Sequence, residues 1–124
     1  FTKNETEILG VLEAAYGFNR KLDEDRGRIE NQVHNEEAWI YERSFKTPTV
    51  RNVEFTAPYF HNGAYQTLDQ VVDFYNHGGG AGLGFELKNQ TLPADSLNLS
   101  DYEMQSLIAF MNSLSYVPEH VKPK

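Results

Sequence analysis

The chain has 124 residues, enough for one domain with one core, and 40% of them are hydrophobic and 23% charged. A formal net charge of -7, with scattered lysines and arginines, argues against a nucleic-acid backbone as partner. There is no cysteine, which excludes disulfides, Cys–zinc sites, thiol catalysis and covalent haem attachment through C-x-x-C-H within this chain. No stretch approaches the roughly 20 apolar residues of a membrane span. The chain opens on Phe-Thr-Lys without a methionine, as a processed or excised piece would, so the missing targeting segment says little about compartment.

The first 30 residues are polar and weakly periodic. "NETEILGVLEAAYGF" suits a short helix or an extended segment, with Gly10 and Gly17 weakening the helix. "LDEDRGRIE" reads as a charged loop around Gly27. "NEEAWIYERSF" predicts a short helix with Asn35 as N-cap and acids in its first turn. "FKTPTVRNVEFTAPYF" predicts extended, irregular chain, because each residue before a proline is pushed out of the α region.

Two helices are better marked. Thr67 with Gln70 makes a capping-box pattern, and Leu68, Val71, Val72 and Tyr75 follow at helical spacing. Gly78 to Gly80 are expected to end that helix in a flexible turn. Ser100 with Glu103 repeats the capping pattern, followed by an apolar stripe of Met104, Leu107, Ile108, Met111 and Leu114. Pro118 limits continuation. The long connection between them, rich in glycine at its start, is of the kind that is either functional or disordered. A small, loop-rich, all-α domain results, a type that often needs a cofactor as a staple.

Few residues stand out as chemical. "GGGAGLG" lacks the Lys-Ser/Thr and the strand–helix setting of a phosphate loop. The histidines His34, His61, His77 and His120 form no i, i+4 pair and no H-E-x-x-H. His77 near a helix end suits the dipole there. His61, in "PYFHNG", reads as structural. Tyr75 shares the apolar face of its helix. It is either a core tyrosine with its hydroxyl tied to a carbonyl or a metal ligand.

The order of these pieces is informative. "FKTPTVRNVEFTAPYFHNGAYQTLDQVVDFYNHGG" resembles the C-terminal haem domain of the bacterial di-haem cytochrome c peroxidase family, which includes the MauG-type enzymes. The likeness extends weakly before Leu22 and forward through "LNLSDYEMQSLIAFMNSLS". It implies a cytochrome c-like, all-α fold and a single stretch, 1–124, of one C-terminal domain. Residues 31–116 form its core, 1–30 resemble the family weakly, and 117–124 are a tail. It implies that the N-terminal helix and the haem-attachment motif of the domain lie outside the chain, making it a truncated piece.

The resemblance also implies site residues. Tyr75 falls where the family has an axial ligand to the haem iron, a methionine in ordinary peroxidases and a tyrosine in the MauG type. Met104 and Met111, by their spacing, belong to the core. Thr56 and Pro58 match positions whose backbone carbonyls bind an inter-haem calcium. Lys46 and Arg51 fit partners of the haem propionates. His61 is placed near the haem edge, in a hydrogen-bonding role. An empty haem face would expose Phe60, Val71, Val72 and Phe74 and favour self-association into a homo-oligomer. The implied parent is a periplasmic enzyme with two haem c groups and calcium. It reduces hydrogen peroxide with electrons from a small periplasmic donor, and this domain relays electrons to the N-terminal haem domain. The alternatives are a MauG-like oxidase acting on residues of a partner protein and a haem-free interaction module.

Overall fold

The computed structural model of the chain describes residues 6–14, 20–31 and 38–118. The expectations at His34, Asn35 and His120 lie outside the described residues.

Helix α1 spans Leu68–Asn76. Its start follows the local chemistry: Gln70 N donates to Thr67 Oγ1 at 3.2 Å and Thr67 N donates to Gln70 Oε1 at 3.2 Å, closing both halves of the capping box. The glycine run departs from the expected flexible turn. Gly78, at φ 89°, ends α1, and Gly79–Gly82 then wind one further helical turn, α2. The reason is packing. A Cβ on Gly80 would lie 2.4 Å from the carbonyl oxygen of Gly10, so only glycine lets the two backbones approach this closely. Gly80 N donates to Leu9 O at 2.8 Å across that contact.

Helix α3 spans Asp101–Ser113, capped by Ser100, whose hydroxyl oxygen accepts from Glu103 N at 3.2 Å. The reciprocal half is replaced by a Ser100 hydroxyl to Glu103 carboxylate bond of 3.3 Å. α1 and α3 pack on each other, and α3 also packs on a 3-10 turn at Val53–Phe55. Their shared core is Tyr59, Leu68, Val72 and Ile108, with Met104 and Met111 packed against it. Both methionines therefore lie in the packing of α3, as their spacing suggests.

The chain is not all-α. Strands β1 (Thr6–Glu7) and β2 (Phe45–Lys46) pair antiparallel, Thr6 opposite Lys46 and Glu7 opposite Phe45. The N-terminal segment is extended at this point, and further bridges join Leu12 to Leu22 and Gly27 to Ser44. A 3-10 turn at Ala38–Tyr41 stands where a short helix was expected. Glycine and proline punctuate these segments too often for longer elements to form.

The long connection after α2 is tied down by side chains. Gln90 Nε2 donates to Gly78 O (2.8 Å) and Leu92 O (2.6 Å), and its Oε1 accepts from Ala81 N (2.9 Å). Thr91 N donates to Ile8 O at 2.9 Å, and Asn76 Oδ1 accepts from Leu99 N at 2.9 Å. Gln90→Leu keeps the bulk but removes a side-chain partner from three backbone groups, of which Gly78 O retains Gly82 N. It is expected to destabilise the chain by about 1–3 kcal/mol. A urea unfolding midpoint equal to that of the unaltered chain would contradict this account.

Candidate functional site

Between α1, the second half of α3 and the two-stranded sheet lies an open cleft of about 710 Å³. That volume is in the range of small-molecule and cofactor sites, about 300–1,000 Å³. Its walls are mostly apolar. α1 contributes Leu68, Val71 and Val72, α3 contributes Leu107 and Met111, and the connection contributes Leu97 and Leu99. Leu9 and Val11 close the side that the glycine contact holds in place.

Tyr75 also lines this cleft. Its hydroxyl has no hydrogen-bond partner among the described residues, unlike Tyr59, whose hydroxyl donates to Val53 O at 3.0 Å. The reading of Tyr75 as a core tyrosine tied to a carbonyl therefore has no such carbonyl among the described residues. Burial pushes the Tyr75 phenol above its ordinary range, and the Glu7 carboxylate adds to that. Glu7 also lines the cleft and accepts a hydrogen bond from the Thr91 hydroxyl. Phe60 and Phe74 flank Tyr75 with ring centroids at 6.4 and 6.2 Å. Phe74 itself is 2% exposed and does not line the cleft. Of the four residues expected on an open apolar face, Phe60, Val71 and Val72 reach the cleft and Phe74 is buried behind it.

The mouth is polar. His61 lies flat on Phe45, with ring centroids 3.7 Å apart and planes 10° from parallel. Its Nε2 is 2.6 Å from Asp23 Oδ2. That nitrogen is committed, which fits a hydrogen-bonding residue at the cleft edge. Burial raises the Asp23 carboxyl, but hydrogen bonds from His61 and Asn62 outweigh it and leave Asp23 below the usual carboxylate value. Asp25 brings a third ligand-type atom to within 4.8 Å of these two.

The other expected residues separate. Lys46 lines the mouth, as do Thr56 and Pro58, whereas Arg51 is exposed and outside the lining. Neither the Thr56 nor the Pro58 carbonyl accepts a hydrogen bond among the described residues, although calcium takes about 6–8 oxygens and these are two. Arg43 lines the mouth and was missed by sequence reasoning, as were Glu7 and Asp23. No local pattern marks them, because they converge from segments far apart in the chain.

Apolar walls, a phenol in one wall and cations at the mouth suit a flat apolar macrocycle that carries carboxylates and a metal. The donor set fits haem. Covalent attachment through thioethers would need cysteines, and the chain has none.

Comparison with known proteins agrees with this geometry. The chain is 48% identical over 77 residues to the cytochrome-c peroxidase IdrP2 of Denitromonas iodatirespirans, covering 62% of this chain and 18% of that protein. It is 34% identical over 77 residues to the methylamine utilization protein MauG of Methylorubrum extorquens, covering 60% of this chain and 20% of that one. In fold it is similar to the crystal structure of a MauG-like protein associated with microbial copper homeostasis. The TM-score is 0.59 at 22% identity, over 89% of this chain and 32% of the other. No family profile matches. The chain thus spans about a fifth of the length of the curated relatives it matches. These similarities fit a partial member of the di-haem cytochrome c peroxidase and MauG family.

The Asp23–His61 contact has a pH signature. A carboxyl whose folded pKa is depressed contributes stability above its unfolded value of about 4 and loses it as pH falls through the folded pKa. Asp23→Asn should lower stability at neutral pH and flatten the acid limb of the stability–pH curve. Urea midpoints measured at stepped pH check this. Parallel curves for the two chains would mean that Asp23 does not titrate in this contact.

Proposed function

We propose that this chain is the C-terminal haem-domain portion of a di-haem cytochrome c peroxidase and that Tyr75 is a protein ligand to its haem iron. The observation that carries the reading is the Tyr75 hydroxyl, unpartnered among the described residues, in a cleft that is otherwise mostly apolar. Haem, when bound, supplies one-electron redox chemistry. The chain's own residues do the rest. Leu68, Val71, Val72 and Leu99 exclude water from one face. The capped helix α1 aims the phenol. Burial and Glu7 keep its proton on in the absence of metal, so ligation must draw the proton off, as bound cations do for other ligands.

On this reading the parent enzyme would reduce hydrogen peroxide with electrons from a small periplasmic donor, and this domain would relay them to the N-terminal haem domain. Its setting is periplasmic. The Thr56 and Pro58 carbonyls, both without hydrogen bonds among the described residues, would supply two of the oxygens for a calcium ion. A second reading, a MauG-like oxidase that withdraws electrons from residues of a partner protein, is favoured by one feature. The ligand position carries Tyr75, while Met104 and Met111 pack against the core, Met111 also at the cleft wall. Steady-state turnover with a reduced cytochrome, against oxidation of a co-expressed partner, separates the two.

In the haem-loaded longer protein, Tyr75→Met is expected to raise the potential of this haem, because a neutral thioether favours ferrous iron where an anionic oxygen favours ferric. Tyr75→Phe is expected to leave an open or water-bound position. Redox titration and ferric absorption spectra test both. Identical spectra and potential in all three forms would make Tyr75 a packing residue. For the 124-residue chain alone, acid–acetone extraction should leave no haem absorbance on the protein, since it has no cysteine. Absorbance that survived extraction would contradict this.

A further inference from the structure

The mouth of the cleft holds an arginine in an unusual backbone. Arg43 has φ 62°, in the left-handed region that residues with a Cβ rarely adopt. Arg43 N donates to Arg26 O at 2.7 Å and Ser44 N to Tyr41 O at 3.0 Å, and together they fix the turn. The side chain then reaches back to Asp23. Its Nε donates to Asp23 O at 3.3 Å, and Nη1 is 3.5 Å from Glu42 Oε1. Nη2 has no partner among the described residues. We infer that Arg43 anchors a carboxylate of the ligand that fills this cleft, a role that the position of Arg51 denies to Arg51. The inference rests on the haem reading, which supplies a macrocycle with two carboxylates.

Three acidic groups share the lining, and each is engaged. Asp23 holds His61 at 2.6 Å, Asp25 accepts from Gly27 N at 2.8 Å, and Glu7 takes the Thr91 hydroxyl. Lys46 is the other cation of the lining, and its Nζ donates to Thr47 O at 3.4 Å. An arginine that already spends two nitrogens on the protein is pre-oriented. It therefore loses less freedom on binding than a free lysine does.

The test is titration of the full 124-residue chain with haemin and with haemin dimethyl ester, which lacks the carboxylates, followed by the absorbance shift of the macrocycle. Arg43→Gln is expected to weaken haemin about tenfold and to leave the ester unchanged. Arg51→Gln is expected to change neither. Arg43→Gly relaxes the left-handed backbone, so the same loss without a lower urea midpoint separates anchoring from folding. Equal weakening of haemin and ester, or a loss in Arg51→Gln as large as in Arg43→Gln, overturns the assignment. If the unaltered chain binds neither compound saturably, the haem reading itself fails, and the role of Arg43 falls with it.

Discussion

The cleft depends on one backbone contact. Leu9 and Gly10 pass so close to Gly79 and Gly80 that a single methyl group on Gly80 would overlap the Gly10 carbonyl. That approach anchors the N-terminal strap against α2, and through it the placing of Glu7, Leu9 and Val11 along the cleft. The connection after α2 is drawn into the same junction by Gln90 and Thr91, which satisfy backbone groups on both sides. Loops of this length cost conformational entropy to order, and here hydrogen bonds from side chains to backbone offset it where a regular sheet or helix would otherwise do so.

The cleft is segregated by physical character. Its interior is built from aliphatic side chains on two helices and a loop, while its mouth gathers Asp23, Asp25, Arg43, Lys46 and His61. Most of these charges already have partners, so the mouth is ordered before any ligand arrives. His61 illustrates the point, since it is clamped between an aromatic ring and a carboxylate. The interior is different. Tyr75 brings a polar atom into a mostly apolar wall without a described protein partner, so its hydroxyl is left for solvent or a bound group to pair with. That asymmetry makes the site read as a cofactor cleft in place of a gap in the core.

The aromatic packing behind Tyr75 has a structural role of its own. Phe74 is buried against Phe60 and Tyr65, at 5.3 and 5.6 Å between centroids, and Arg20 lies over Tyr65 at 5.0 Å. α1 therefore presents two apolar faces, one to the cleft and one to this cluster. A helix of nine residues is marginal by itself, so its orientation, and with it the aim of the phenol, is set by packing on both sides.

The sequence by itself determined the two capped helices, the core positions of Met104, Met111 and Ile108, and the candidacy of Tyr75. Capping and helical periodicity are local, so they are written in neighbouring residues. It also carried enough of a family pattern to suggest haem, with Lys46 and His61 near the cleft mouth. Tertiary structure alone decided the rest. The two-residue strands are too short to leave a period, and their pairing joins segments almost forty residues apart. The glycine run reads as a flexible turn until the facing Gly10 is seen. Arg43, in a left-handed turn, lines the mouth where Arg51 does not, and Glu7 came from a two-residue strand and Asp23 from a loop with no recognisable spacing. Sites assembled from distant segments owe their geometry to packing, and packing is a property of the folded chain that no short window of residues encodes.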